Sequence, residues 1–97
     1  MRGGWVYILA NRYRGTIYIG VTSTIAQRID QHRQGKGGKF TKEYGCGVLV
    51  HAEQYDRIED AIAREKALKK WNRDWKIRLI EEHNPDWEDR YGDLVLV

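Results

Sequence analysis

The fold is decided by residues 5–21, which read WVYILANRYRGTIYIGV. Two runs rich in Val, Ile, Tyr and Trp, residues 5–10 and 16–21, flank a polar stretch that contains a glycine, residues 11–15. Runs of β-branched and aromatic residues on either side of a short polar segment are typical of a β-hairpin. The chain is therefore predicted to open with two antiparallel strands.

Two tyrosines of this hairpin are candidates for more than packing. Side chains alternate between the faces of a strand, so Tyr18 lies on the face opposite the isoleucines that flank it. A symmetric hairpin centred on Arg12 and Tyr13 would make Tyr7 and Tyr18 direct cross-strand neighbours. Aromatic pairs in strands mostly serve packing, so the pair alone leaves a structural and a chemical role open.

The rest of the chain alternates between helical and extended patterns. In chain order we predict a helix from residue 23 or 24 to about 34, a flexible basic loop at 35–39 and a strand at 48–55. Two further helices are predicted at about 57–70 and 73–83, and Asn84-Pro85 ends the second of them. Residues 86–97 are predicted to add a further turn and a short apolar end. Ser23 or Thr24 can cap the first helix, and Asn72 the third. Asp56 with Glu59 resembles a capping box before the second.

This order, β-β-α-β-α-α, predicts a small α/β sandwich with a three-stranded antiparallel sheet flanked by helices. A chain of 97 residues corresponds to one small domain, with a core at about 4–83 and an extension at 84–97. No apolar run approaches the ~18 residues of a membrane span, and the N-terminus has no signal-peptide core. A single cysteine, Cys46, forms no internal disulfide, so a cytoplasmic location is expected.

The charge of the chain is unevenly distributed. Residues 1–44 carry eight Lys or Arg and two acids, a net charge of +6, whereas residues 45–97 carry nine Lys or Arg and twelve acids, a net charge of −3. A basic half of this kind indicates a polyanion, and nucleic acid is the usual candidate. A solvated basic face is the alternative.

Three polar side chains border the predicted apolar stripes of the helices. Arg28 and His32 stack on one face of the first helix, where a phosphate would satisfy the guanidinium; a structural Arg–carboxylate pair is the alternative. Glu65 lies inside the stripe of the second helix, and a buried carboxylate is costly unless a metal or a charge satisfies it. The alternative for Glu65 is an inward salt bridge to Arg28 or Lys69.

The spacing of these residues resembles the GIY-YIG nuclease superfamily. Tyr18-Ile19-Gly20 follows Tyr7 by eleven residues, Arg28 follows Tyr18 by ten, His32 comes four later, and Glu65 stands alone on the next helix. The resemblance covers residues 4–83 and is greatest to short stand-alone bacterial members of the URI type, which are similar to the N-terminal domain of UvrC. The chain departs from the pattern in two places: the first tripeptide, Val6-Tyr7-Ile8, lacks the glycine, and Val21 stands where UvrC-like members carry a basic residue.

The resemblance implies a metal-dependent endonuclease that hydrolyses phosphodiester bonds, with DNA as the expected substrate and DNA repair or recombination as the expected setting. Glu65 would hold Mg²⁺ (or Mn²⁺) and Arg28 would stabilise the phosphate. Tyr7, with Tyr18 beside it, would activate the water, or His32 would do so. Backbone phosphates would be bound by the basic residues Arg33, Lys36, Lys39 and Lys42.

Two other functions remain open at this point. One is a catalytically silent or slow nucleic-acid-binding module that needs a recruiting protein partner. The other is a protein-interaction adaptor that uses the aromatic residues Trp71, Trp75, Trp87 and Tyr91; a large exposed apolar patch around Trp87 would favour it. The sequence does not indicate an oligomeric state.

Overall fold

The structure is a computed structural model and describes residues 3–95. The strands are β1 (Gly4–Ala10), β2 (Ile17–Thr22) and β3 (Val48–Tyr55), and the helices are α1 (Ile25–Arg33), α2 (Lys39–Tyr44), α3 (Ile58–Lys70), α4 (Arg73–His83) and α5 (Tyr91–Val95). The strands form one antiparallel sheet in the order β2-β1-β3. The predicted α/β fold and the order of its six main elements are confirmed, and two short helices, α2 and α5, are added.

The hairpin register differs from the prediction. Tyr7 faces Gly20 across the β1–β2 pair, and Tyr18 faces Leu9, so the two tyrosines are diagonal rather than direct neighbours. The reason lies in the connection, where the Asn11 side chain accepts a hydrogen bond from the backbone N of Thr16 at 2.9 Å. This bond orders a six-residue loop whose centre lies one residue later than predicted.

The sheet has a packed core on each face, as strand alternation predicts. One core joins β1 and β2 to α3 and α4, and its fully buried members include Val6, Ile8, Ala61, Leu68 and Ile80. The other core joins β1 and β3 to α1, and its buried members include Tyr7, Leu9, Ile25, Ile29 and Leu49. Tyr7 therefore belongs to the core of the α1 side, although its neighbours in β1 face α3.

Only one of the predicted helix caps is confirmed. Asn72 precedes α4, and its side chain accepts a hydrogen bond from the backbone N of Trp75 at 2.9 Å. The cap of α1 is wrong, because Thr24 precedes the helix without a side-chain cap bond. The capping box is also wrong, because α3 begins at Ile58 and Arg57 occupies the cap position.

The flexible basic loop predicted at 35–39 is non-helical up to its last residue, and an unpredicted short helix, α2, follows it. α2 begins at Lys39, and it is bracketed by Gly38 with φ 143° and Gly45 with φ 66°, conformations that favour glycine. At the C-terminus, α5 accounts for the predicted further turn, while the last two residues of the predicted apolar end, 96–97, lie outside the described residues. None of the helices within residues 3–95 is long and apolar enough to cross a bilayer.

The segment that follows α4 is fastened to β3. The backbone N of Arg90 donates to Leu49 O at 2.8 Å, and the buried Asn84 side chain donates to Val50 O at 3.0 Å. Both carbonyls lie where the register between β1 and β3 shifts. The irregularity exposes backbone acceptors that this segment satisfies, and α5 then packs on the α1-side core.

Candidate active site

Tyr7 lies at the centre of the candidate site. Its side chain is buried, and its Oη lies 2.9 Å from Nε2 of His32. Gly20 lies directly opposite on β2, and a Cβ there would collide with the phenol of Tyr7. The glycine of the Tyr18-Ile19-Gly20 motif thus provides the space that the phenol occupies. The ring of Tyr18 lies 6.3 Å from that of Tyr7, measured between centroids.

His32 continues the hydrogen-bonded chain away from Tyr7. It is buried at the last turn of α1, and its Nδ1 lies 3.0 Å from Oγ1 of Thr41. Thr41 is buried on α2, and its hydroxyl donates to Gly38 O at 3.3 Å. A Cβ at Gly37 would collide with the imidazole, so this glycine makes room for His32. A hydrogen-bonded chain therefore joins β1, α1 and α2.

Burial keeps both members of the tyrosine–histidine pair neutral. It raises the pKa of Tyr7 to about 12; the guanidinium of Arg28 opposes that rise, and the charges of Tyr18 and Glu65 add to it. Burial also lowers the pKa of His32, and the nearby charge of Arg28 lowers it further. Near pH 7 the pair is a phenol beside an uncharged imidazole. Tyr18 and His32 thus contact Tyr7 directly, and the charges of Arg28 and Glu65 act on its pKa.

Arg28 has no carboxylate partner among the described residues. Its side chain is half-buried, donates a long hydrogen bond of 3.4 Å to Oε1 of Gln31, and lies close enough to the Tyr7 hydroxyl to lower the pKa of Tyr7. The structural Arg–carboxylate pair considered above is therefore wrong. A guanidinium presents five donors, so most of those of Arg28 remain available to an anion.

Glu65 is largely buried and has one cationic partner. Its side chain is 14% exposed and pairs with Lys69, which is 53% exposed, at 3.0 Å. The predicted inward salt bridge thus exists, and its partner is Lys69 rather than Arg28. Within residues 3–95 no group of three or more His, Cys, Asp or Glu surrounds a common point. The single carboxylate of Glu65 fits Mg²⁺, which commonly binds proteins through one or two carboxylates and keeps several waters.

The four predicted nucleic-acid-binding residues fall into two groups. Lys36, Lys39 and Lys42 are exposed on and before α2 and form no ion pair within the described part of the chain. Arg33 differs, because it forms an ion pair with Asp89 and its guanidinium lies 4.3 Å above the ring centroid of Tyr91. The C-terminal segment therefore holds Arg33, whereas the three lysines face solvent.

The aromatic C-terminal half offers little support for the adaptor alternative. Trp87 is 4% exposed, and its Nε1 donates to Oε2 of Glu81 at 2.7 Å. Trp87 itself therefore adds almost nothing to the exposed surface, although the exposed Tyr13 packs edge-on against it at 6.1 Å between ring centroids. Trp75 is the exposed tryptophan of this half, in edge contact with Trp71 at 5.8 Å between ring centroids.

Thr41 and Gly37 are parts of the site that were not predicted from the sequence. Both contact the imidazole of His32, and both lie in or next to the segment predicted as a loop. Their position depends on α2, whose six residues are too few for a periodic pattern. The glycine-rich composition of the segment was the available signal, since close approach of a backbone to a ring requires glycine.

Comparison with known proteins assigns this fold to a family. A family model described as the GIY-YIG catalytic domain matches residues 3–78, so the chain belongs to the GIY-YIG family. Family membership implies nuclease-type chemistry.

The similar proteins are short chains like this one. A UPF0213 protein of Staphylococcus haemolyticus is 36% identical over 78 residues, which cover 80% of this chain and 94% of that protein. A UPF0213 protein of Staphylococcus aureus is 35% identical over 68 residues, which cover 70% and 83% of the two chains. The solution NMR structure of a UPF0213 protein from Bacillus halodurans matches with a TM-score of 0.57 and 30% identity, covering 93% of this chain and 95% of that one.

Proposed function

We propose that the protein is a metal-dependent endonuclease that hydrolyses phosphodiester bonds of nucleic acid, with DNA as the expected substrate. The observation that carries the proposal is the buried hydrogen bond between Tyr7 Oη and His32 Nε2, flanked by a guanidinium without a carboxylate partner and by a largely buried carboxylate. A proton donor–acceptor pair, a phosphate ligand and a metal ligand are the groups that phosphodiester hydrolysis requires.

The direction of proton transfer follows from the hydrogen bonds of Thr41. Its hydroxyl donates to Gly38 O, so its oxygen accepts from Nδ1–H of His32. That tautomer leaves Nε2 without a proton, and Nε2 therefore accepts from Tyr7 Oη–H. Tyr7 can then take a proton from the attacking water while it passes its own to His32. The sequence left Tyr7 and His32 as alternative bases; in this assignment they act in series.

Transfer in series also overcomes the high pKa of Tyr7. With a pKa of about 12, the phenolate is populated at only ~10⁻⁵ near pH 7, which is too little for a preformed base. The neutral His32 beside it accepts the proton as the reaction proceeds, so a phenolate never accumulates. Tyr18 packs against both rings and holds them in place.

Arg28 and Glu65 supply the charges. The free donors of Arg28 would bind the non-bridging phosphate oxygens, where negative charge develops during attack. Glu65 would hold Mg²⁺, with Lys69 as the partner that the ion displaces. When bound, the ion stabilises the charge on the phosphate and lowers the pKa of a water. The exposed lysines Lys36, Lys39 and Lys42 would bind backbone phosphates, and Arg33 would join them on release from Asp89.

The test is cleavage of a labelled panel of single-strand, duplex, flap and junction substrates, in DNA and RNA, with Mg²⁺ or Mn²⁺. We expect metal-dependent cleavage that Glu65→Ala abolishes while the far-UV circular dichroism is unchanged. The matched control is Glu59→Ala on the same helix, an exposed acid whose partner is Arg57, and it should cut like the parent. If Glu65→Ala cuts as well as the parent, the metal assignment is wrong.

A slow or silent nucleic-acid-binding module is the second candidate. The Glu65–Lys69 ion pair favours it, because the ammonium occupies the carboxylate that a metal would need. This candidate predicts binding to the panel without cleavage at any metal concentration. Lys69→Met separates the two functions, since removal of the ammonium should lower the Mg²⁺ concentration that supports half-maximal cleavage by an enzyme, and should leave a silent module silent.

A further inference from the structure

A cavity outside the catalytic cluster opens at the free edge of the sheet. β2 is an edge strand, and beside it lies a cavity of about 280 Å³. Its walls come from four elements and consist of Ile17, Tyr18 and Ile19 of β2, Phe40 of α2, Lys69 of α3 and Lys76 of α4. Tyr18 faces both this cavity and the Tyr7–His32 pair, so the two spaces adjoin. A molecule bound at the catalytic cluster would extend into the cavity.

Two ammonium groups share this cavity. Lys69 already has Glu65 as its partner, but Lys76 is half-buried and makes no side-chain hydrogen bond or ion pair with the described residues. A half-buried cation without a counter-charge costs free energy, and a second cation nearby increases that cost. A phosphate in the cavity would satisfy Lys76 and would also accept from Lys69 once a metal displaces it from Glu65.

The remaining wall is aromatic. Phe40 is 42% exposed, and its ring lies 6.0 Å from that of Tyr18 between centroids. The ring of the exposed Tyr44 lies 4.7 Å from that of Phe40 between centroids, so a row of rings runs from the surface to Tyr18. Exposed rings beside a basic groove are a typical surface for nucleotides, whose sugars and bases pack on them while cations bind the phosphates.

We propose that this cavity is a nucleotide subsite of the substrate. The phosphate next to the bond that is cut binds Lys76 and Lys69, and the attached nucleoside packs on Phe40. The subsite rests on the proposed nuclease function and extends it, because it assigns a strand path across the edge of β2, from the α2 lysines to α4. It also gives Lys76 and Phe40 a role that packing does not explain.

The experiment tests whether Lys76 contacts one particular phosphate of the substrate. The probe is the shortest labelled oligonucleotide of the panel that the parent cuts, with each phosphate in turn replaced by a neutral methylphosphonate, and binding is measured in EDTA against salt concentration. For Lys76→Gln we expect the slope of log K against log salt to fall by about 0.7–0.9, the value of one lost phosphate contact. The matched control, Lys70→Gln at the exposed end of α3, should keep the slope and cleavage rate of the parent.

The position of the coupling tests the geometry. The effect of Lys76→Gln should vanish on the oligonucleotide whose neutral linkage is adjacent to the cleaved bond, and should persist on all others. Phe40→Ala should weaken binding about tenfold at every salt concentration, in keeping with stacking energies of about 1–3 kcal/mol, without changing the slope. Thermal unfolding of each variant establishes that it remains folded.

Each result has one interpretation. If the parent cuts but Lys76→Gln keeps the parent's slope, or loses affinity equally for every methylphosphonate position, the subsite is wrong and the nuclease proposal stands. If the parent neither binds nor cuts any member of the panel, both proposals are wrong. Coupling at a single phosphate beside the cut supports both.

Discussion

The two faces of the sheet carry two polar clusters that differ in charge, one half-buried around Glu53 and one buried around Tyr7. On the α3 side, Glu53 of β3 accepts hydrogen bonds from His51 at 2.8 Å, from Tyr55 at 2.7 Å and from Arg64 at 2.9 and 3.2 Å. On the α1 side, Tyr7 shares one hydrogen bond with His32. The clusters are one residue apart along β1, because Glu53 pairs with the residue that precedes Tyr7. Neighbouring positions of one strand thus support opposite arrangements.

The pKa values express the difference. Burial alone would raise the pKa of Glu53, but hydrogen bonds from His51, Arg64 and Tyr55 lower it to about 2, so the carboxylate stays charged. At Tyr7 burial prevails over the opposing guanidinium of Arg28, and the pKa rises to about 12. A paired charge holds its proton state and so fixes structure. A neutral donor–acceptor pair holds a proton that can shift in concert with the attack on the phosphate, which is what general acid–base catalysis needs.

The largest expected effect is on the cleavage rate, when the Tyr7–His32 pair is disrupted. Tyr7→Phe removes the proton donor of the pair, and we expect the single-turnover cleavage rate to fall about 10²–10⁴-fold, the usual range for general acid–base catalysis. Glu53→Gln is the control from the opposite face and should cut like the parent when it is folded. A Tyr7→Phe rate equal to the parent's would remove Tyr7 from proton transfer.

The next largest effect is on stability, when the cluster around Glu53 is disrupted. Glu53→Gln leaves Arg64 without its counter-charge, and we expect the free energy of unfolding to fall by about 2 kcal/mol. The loss is smaller than for a fully buried pair, because the Arg64 side chain is 28% exposed. Urea unfolding measures it. Glu59→Gln, which breaks the exposed pair with Arg57, should leave the stability nearly unchanged. Equal effects of the two variants would contradict the role assigned to the cluster.

A smaller effect on the cleavage rate tests how Thr41 orients His32 toward Tyr7. Thr41→Val removes the acceptor of Nδ1–H, so His32 no longer favours the tautomer whose Nε2 accepts from Tyr7. We expect the cleavage rate to fall about tenfold, which corresponds to one hydrogen bond of about 1.4 kcal/mol. Thr41 acts here as a positioning residue, and Thr41→Ser, which keeps the hydroxyl, should restore the rate. A valine variant as fast as the parent would show that Thr41 does not determine the tautomer.

Local patterns were sufficient to predict the sheet. The β-branched and aromatic runs of the hairpin and the alternation that separates Tyr7 from its neighbours depend only on residues close in sequence, and both agree with the structure. The register did not follow from them. It depends on the side chain of Asn11, which bonds to Thr16 and shifts the turn by one residue. One such bond is invisible in a hydrophobic pattern.

The candidate site was predictable as a set of residue types but not as a hydrogen-bonded arrangement. Spacing along α1 predicted that Arg28 and His32 share a face, and the apolar stripe of α3 predicted a buried Glu65. The partner of His32 did not follow, because α2 is too short to have a period and residues 40–47 therefore carry no predicted element. The division of the chain by charge also failed to identify Lys69 and Lys76 as candidate binding residues. Both belong to the acidic half of the sequence, but they line a cavity with residues of the basic half.

The smallest effect concerns the pH dependence of stability, which should separate the two clusters. Burial lowers the pKa of His32, so below the ordinary value of about 6.5 the unfolded chain takes up a proton that the folded chain resists. The stability from a neutral His32 is complete above that value and is lost as pH falls toward the lowered pKa. Glu53, with a pKa of about 2, contributes no change in this range.

Urea unfolding from pH 7.5 to 5 measures this dependence, and the comparison is with His32→Gln. The parent should lose stability on acidification with a slope of at most about 1.4 kcal/mol per pH unit, the limit for one proton, and His32→Gln should have a smaller slope. The cleavage rate of the parent should fall only at lower pH, near the lowered pKa of the folded His32, because a protonated His32 cannot accept from Tyr7. Parallel slopes for the two proteins would mean that another group titrates. A cleavage rate that is lost at the pH where the stability difference between parent and His32→Gln stops changing would assign both effects to one imidazole, the proposed acceptor of the Tyr7 proton.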